Sequence, residues 1–262
     1  MVRRVAVLLM VIPAALVAAA GGGGSTVAVP RGGAATTVPA TASSQPADYY
    51  ALSADAFFKL PAATGRIRKN QADISLLEAA IFHQTNTERT ANKLPAFQYS
   101  MAMNLMARRH SGEMAELQFF DHTSPTPANR TLADRLRNVS LTNVTAGENI
   151  AVLPAREIGS GRYVTHDPLD GNEVWYDEVT GKRMDYFTYQ ALAEAVVAKW
   201  KNSPPHWKNI LDPQFKFLGV GAARGEYDKE KQDSFYMTQN FCSTVQAASE
   251  AKAKPLLAPK TP

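Results

Sequence analysis

The chain has 262 residues, 45% hydrophobic and 20% charged, an ordinary globular balance that supplies one core of good size. Its net charge is +4, and +2 (4 − 2) once Arg3 and Arg4 leave with an export signal, too little to argue for nucleic acid or an anionic surface as partner. One cysteine, Cys242, excludes an internal disulfide framework, which favours a bacterial exported protein over a small eukaryotic secreted scaffold.

The N-terminal "MVRRVAVLLMVIPAALVAAA" has two arginines, an apolar run and three small residues, the pattern of a signal peptide over 1–20 with cleavage after Ala20. It predicts a secreted or periplasmic protein. "LVAAAGGGGS" has the outline of a lipoprotein signal, but Ala20 stands where the lipid-bearing cysteine would be, so lipid anchoring is not expected. No second apolar stretch is long enough to span a bilayer.

Residues 21–46 are Gly, Ala, Thr and Pro with almost no charge, and read as a flexible linker. An N-terminal extension follows over 47–72, where "YYALSADAFFKLP" is able to pack on a surface. The domain proper spans 73–243. Ile74, Leu77 and Ile81 repeat at helical spacing from Asp73 to about Asn92. A second helix follows Ser100 as N-cap, with Met103, Ala107, His110 and Met114 as its stripe. A third follows Thr188, with Ala193, Val196, Val197 and Trp200 on one face and Phe187 placed to act as a hydrophobic staple. Pro204 and Pro205 then stop the chain from continuing as helix and stiffen the approach to His206.

Two late segments, "FKFLGVGAA" and "FYMTQNFC", read as an antiparallel hairpin joined by the polar "GEYDKEKQD". Another hairpin is expected over 160–186, where Asp-Gly and Thr-Gly turn signals flank "EVWYDEV". The Ala-, Lys- and Pro-rich tail, 244–262, reads as disordered. Helices followed by a small antiparallel sheet make an α+β domain.

Residues able to carry chemistry gather in "FFDHTSP" (119–125), "AGENIAV" (146–152) and "SPPHWKN" (203–209). His122 and His206 each follow a helix, in a short turn containing proline, and Glu148 opens a strand. Other polar residues read more simply. His110 lies on an apolar stripe and is a core histidine. His83 is expected to be partly exposed. His166 belongs to a "THDP" turn. Ser124 has no triad spacing. Cys242 closes a strand as a small buried hydrophobe. Asn-x-Ser/Thr sites at Asn129, Asn138 and Asn143 are taken as chance.

The stretches "NTERTANKLPAFQYS", "MNLMARRHSGEMAELQFFDHTSP", "GENIAV", "VVAKWKNSPPHWKNILDPQFKFLGVG" and "YMTQNF", in this order and spacing, resemble the CAP superfamily of cysteine-rich secretory, antigen 5 and pathogenesis-related proteins, and within it the compact bacterial branch. The resemblance implies an α-β-α sandwich with a small central antiparallel sheet, to which the 160–186 hairpin is an insertion. It also implies a cleft where His122, Glu148 and His206 converge. Many eukaryotic members carry a second glutamate where Ser203 stands here, and Glu194 is no evident substitute. Glu88 or Arg89 is expected to tie the first helix to a neighbouring loop.

Two neutral imidazoles on rigid turns are ligands for a divalent cation, zinc being the natural one. Glu148 then stands open as a third ligand, a partner orienting a histidine, or a base acting on bound water. A hydrogen-bonded network that only holds the loops together is the simpler alternative. Three functions follow: binding of a lipid, glycan or peptide ligand, which is favoured; metal-assisted hydrolysis of peptidase type; and a structural role with a vestigial cleft.

Overall fold

The computed structural model describes residues 3–6, 49–69, 71–157, 159, 162–166, 174–227 and 232–257. The linker expected over 21–46 lies outside them, as does the export signal except for Arg3–Ala6, a strand (β1). Among the described residues no helix is long and apolar enough to cross a membrane.

The extension folds as two short helices, α1 (Ala54–Phe58) and α2 (Pro61–Thr64). They bury Phe57 and Ala63. Three long helices follow, as their apolar spacing requires. α3 (Ile74–Ala91) starts at Asp73, whose carboxylate accepts the Leu76 N–H. α4 (Met101–Glu116) starts at Ser100, which accepts the Met103 N–H. α6 (Tyr189–Lys201) starts at Thr188, which accepts the Ala191 N–H. Between the last two lies α5 (Leu132–Asn138), opened by a Thr131/Asp134 capping box.

The central sheet has the order β2 (Gln98–Tyr99), β6 (Phe217–Tyr227), β7 (Gln232–Cys242), β3 (Ala146–Pro154). Its three long strands are antiparallel, and the two-residue β2 is the exception, pairing parallel with β6. "GEY" and "QD", expected in the turn, belong to the strands.

One face of the sheet meets α4 at backbone distance. A Cβ on Gly219 would fall 2.0 Å from the Asn104 nitrogen, and one on Gly221 2.1 Å from the Ala107 carbonyl carbon. The other face carries Leu218, Val220, Met237 and Phe241 into the main core, with Leu77, Ile81, Val196 and Trp200 from α3 and α6. The result is the expected three-layer sandwich. A second sheet has the order β1, β4 (Arg162–His166), β5 (Val174–Asp177), so the 160–186 segment contains an antiparallel pair.

Several expectations are corrected. The tail is not disordered over its described part: Ala247–Leu257 is a helix (α8) that buries Ala253 in a cluster with Met103 and Met106 of α4. Its Glu250 accepts the N–H groups of Met101 (2.7 Å) and Ala102 (3.3 Å) and the Ser100 hydroxyl (2.5 Å), completing the α4 N-terminus. His83 is buried, not partly exposed; its ring stacks on Phe57 at 4.5 Å and its Nε2 bonds the Tyr49 carbonyl at 2.9 Å. His166 ends β4 instead of lying in a turn. His206 is not in a turn either. Pro204 and Pro205 are the first residues of another helix, α7 (Pro204–Leu211), where a missing N–H costs nothing.

Arg89 fills the tying role, donating to the carbonyls of Pro95, Ile210, Asp212 and Phe215. Cys242 is buried, and burial pushes its thiol up to about 12.

Candidate functional site

The chain leaves α4 through Leu117 and Gln118 and turns back along the helix's last turns. The Phe119 N–H donates to Met114 O at 3.1 Å, and the Thr123 N–H to Asp121 Oδ1 at 2.7 Å. The Ser124 hydroxyl donates to Glu113 at 2.7 Å, which makes it a loop anchor and not a nucleophile. His110 also holds this loop: its Nε2 lies 3.1 Å from the Asp121 carbonyl. The carbonyl can only accept, so Nε2 carries the proton. Burial lowers the His110 pKa, and the nearby Glu148 only partly opposes this, so the ring is neutral. His110 is thus the core histidine that its stripe predicts, although it lies 3.8 Å from Glu148.

The loop delivers His122 to β3. Its Nδ1 lies 2.9 Å from Glu148 Oε1, and its side chain keeps 53% exposure. Glu148 is 3% exposed at its side chain, and its oxygens are occupied. Arg135 Nη2 stands 2.8 Å from Oε1 and 2.7 Å from Oε2. Asn240, oriented to suit both its neighbours, donates to Oε2 at 3.1 Å and accepts from the Ala107 N–H. Burial alone would raise the Glu148 pKa. The hydrogen bond from His122 and the adjacent positive charge of Arg135 outweigh it, so the carboxyl stays below its usual range and ionised. An ionised carboxylate only accepts, so His122 carries its proton on Nδ1 and turns the Nε2 lone pair outward when neutral. Arg135 Nη1 also holds the His122 carbonyl at 3.1 Å. The same Arg–Glu pair therefore fixes both backbone and ring.

His206 joins through the next residue of the same strand. Asn149 Nδ2 donates to the His206 carbonyl at 3.1 Å, and Asn209 of α7 donates to Asn149 Oδ1 at 2.9 Å. His206 is half-buried in the first turn of α7. Burial lowers its pKa first, and the charges of His122 and Lys199 lower it further. Glu148 and Asn149 thus bring the two histidine segments to one stretch of edge strand.

The donor set does not make a three-ligand metal centre. Among the described residues no group of three His, Cys, Asp or Glu could hold an ion. Glu148 is taken by Arg135, which leaves two imidazoles as ligands. Glu194 is exposed and pairs with Gln190, so it supplies nothing. The Asn138 side-chain amide donates to Asn129 Oδ1 at 2.8 Å.

Sequence reasoning missed Arg135. One signal was available: Arg135 shares a helical face with Leu132, Leu136 and Val139, and an arginine on an apolar face needs a buried partner. It is 2% exposed.

The model of the cysteine-rich secretory protein family matches residues 82–241. An uncharacterised protein, YkwD, of Bacillus subtilis is 29% identical over 150 residues, which cover 57% of this chain and 44% of that protein. The chain therefore spans less than half the length of this relative. Among solved structures, an extracellular protein containing an SCP domain from Bacillus anthracis aligns with 27% identity and a TM-score of 0.42, over 64% of this chain and 40% of that one. A cysteine-rich secretory protein of Staphylococcus aureus aligns with 13% identity and a TM-score of 0.40, over 66% and 40%. An outer surface protein of Borrelia burgdorferi aligns with 14% identity and a TM-score of 0.39, over 63% and 90%.

Proposed function

Because the chain belongs to the cysteine-rich secretory protein (CAP) family across residues 82–241, we propose that it is an exported binding module whose cleft, formed by His122 and His206 and positioned by Glu148, takes a lipid, glycan or peptide ligand. Export rests on the N-terminal pattern of two arginines, apolar run and small residues.

The observation that carries the binding reading is the state of Glu148. Hydrolysis through metal-bound water needs this carboxylate as a ligand or as a base. Its oxygens are instead engaged by Arg135, His122 and Asn240 in a buried setting. To act as a base it would have to take a proton while the Arg135 charge beside it favours the ionised form. Its supported role is to orient His122, as carboxylates commonly orient histidines. A cation would find only two imidazoles, so zinc binding is expected to be weak.

The test follows the His122 and His206 ring resonances by NMR while three probes are added in turn: cholesterol-containing phosphatidylcholine vesicles, chitotetraose, and a casein peptide digest. One class should move both rings and be recovered uncleaved. Cleavage that disappears in His122→Ala, Glu148→Gln and His206→Ala would establish the hydrolase alternative instead. If no probe moves either ring, the cleft is not a ligand site, and a role for the outer surface takes precedence. A zinc titration by calorimetry beside the His122→Ala/His206→Ala double variant should give weak heats that the variant loses. Tight one-site binding would overturn the reading of Glu148.

A further inference from the structure

We infer that Gln239 and Thr85 are positioning residues for His206, joined to it by a buried hydrogen-bond thread that runs from α3 through β7 and β3 to α7. The inference rests on the reading of His206 as one wall of the cleft, and not on which ligand the cleft takes.

The pleat of β3 divides the site between the two faces of the sheet. Neighbouring residues of a strand point to opposite faces, and here each has its own partner directly across on β7: Asn240 opposite Glu148, and Gln239 opposite Asn149. The first pair faces α4, where Asn240 accepts the Ala107 N–H, and its Glu148 serves His122. The second pair faces α3, where Gln239 meets Thr85, and its Asn149 serves His206. Thr85, Asn149 and Gln239 are all fully buried.

Each proton in this second set has one place to go. Thr85 gives its hydroxyl proton to the Ile81 carbonyl at 2.7 Å, so its oxygen accepts from Gln239 Nε2, also at 2.7 Å. Gln239 Oε1 accepts from Asn149 Nδ2 at 3.1 Å, and the same Nδ2 donates to the His206 carbonyl at 3.1 Å. Asn149 Oδ1 accepts from Asn209 of α7 at 2.9 Å. Turning the Gln239 amide over would set its NH₂ against that of Asn149, and its oxygen against a hydroxyl whose proton is already given to Ile81. The thread therefore has one polarity. Removing one member leaves the next buried and unsatisfied, so the change is passed along the thread.

α7 is an element that polar bonds can place. Among its described residues only Ile210 is buried, with Trp207 and Leu211 partly buried against the core. Its first turn is held by Asn149 at the His206 carbonyl, and its last by Arg89 at the Ile210 carbonyl. Arg89 and Thr85 both belong to α3. One helix thus sets both ends of the element that carries His206, while His122 is set from the other face by Arg135 and Glu148.

The experiment compares variants of the full chain by ¹H–¹⁵N NMR, reading the backbone amides of α7 and the rings of His122 and His206. Gln239→Met keeps the length of the side chain and removes its amide. It should shift the His206 ring and the amides of His206, Trp207 and Asn209, and leave the His122 ring in place. Thr85→Val removes only the hydroxyl and should shift the same signals by less, and Thr85→Ser should restore them. If Gln239→Met does not fold, the Thr85 pair decides alone. Thr238→Val is the control: Thr238 is the neighbour of Gln239 on β7, equally buried, and its hydroxyl lies 2.8 Å from that of Ser111 of α4 on the opposite face. It should leave the His206 signals where they are. The inference is overturned if His206 stays unmoved in Gln239→Met and Thr85→Val, if Thr85→Ser fails to restore the shift, or if Thr238→Val produces the same shift. If no ligand probe moves either ring while these shifts appear, the binding reading falls and the positioning role stands.

Discussion

Glu78 and Glu148 sit at opposite edges of the same sheet, and each is a carboxylate taken out of water with one arginine beside it. Glu78 of α3 lies at the free part of β6. Arg108 Nε stands 2.7 Å from both its oxygens, Asn104 donates at 3.2 Å, and the Ala222 N–H donates at 3.2 Å. Asn104 also takes the Val220 carbonyl, so this cluster seals the exposed edge of β6. Glu148 lies on β3, the other edge, where Trp200 Nε1 takes the Ile150 carbonyl at 3.1 Å and Asn209 takes that of Glu148 at 3.3 Å. Chemically the two centres are alike. They differ in where their partners end. The Arg108 side chain, 25% exposed, is the outermost partner of Glu78 and goes on to bond Ser75, within the fold. Glu148 passes its position to His122, an exposed group whose Nε2 makes no bond among the described residues. A buried ion pair therefore says little about function until its last partner is traced to the surface.

The largest effect that could break this comparison is loss of the arginine. Arg135→Leu and Arg108→Leu each leave a buried carboxylate unpaired and should cost about 3–5 kcal/mol in urea denaturation. Only Arg135→Leu should move the His122 ring signals. An equal shift in Arg108→Leu would mean that the two centres are coupled.

A smaller change comes from Glu148→Gln, about 1–3 kcal/mol, and Glu78→Gln should cost less, because burial already favours the neutral form of that carboxyl. ¹⁵N NMR of His122 should report a protonated Nδ1 in the wild type and in Glu78→Gln, and a mixture of tautomers in Glu148→Gln.

Acid sharpens the contrast further. His83, His110 and His206 all have folded pKa values lowered by burial from 6.5, so the folded state binds fewer protons than the unfolded chain below that pH. Their contribution is fully present above about pH 6.5 and is lost as pH falls toward each folded value, by at most about 1.4 kcal/mol per pH unit for each ring. The Glu148 contribution persists lower, being lost only as pH falls below 4.5 toward its own depressed value. Glu78, whose pKa is raised by burial despite Arg108, should change in the opposite sense, gaining relative stability on protonation. Thermal denaturation against pH, in wild type and in Glu78→Gln, separates these contributions.

The smallest effect belongs to the C-terminal helix. Glu250→Ala removes the acceptor for three donors at the α4 start and should cost about 1 kcal/mol. No change would mean that α8 does not dock in solution.

Much of this architecture was readable because it is local. Ser100 and Thr188 cap the helices they were expected to cap, and the stripes behind them face the core, because capping and 3.6-residue periodicity act within a few residues of chain. The same holds for the late hairpin and for the core assignment of His110 and Cys242. Where long-range contacts decide, the sequence misleads or is silent. A tail rich in Ala and Lys looks disordered until Glu250 finds the α4 N-terminus some 150 residues earlier. His83 looks accessible until the extension covers it. Pro204 and Pro205 look like a stop, yet they begin a helix, because only the preceding turn tells an N1 proline from a breaker.

By itself, then, the sequence determined the three long helices, the late hairpin, the family resemblance and the identities of His122, Glu148 and His206. It could not determine what Glu148 is used for. That depends on Arg135, 13 residues away in the chain and 2.7 Å away in space. Charge pairing follows distance through a packed interior, and no local pattern in the chain encodes that distance.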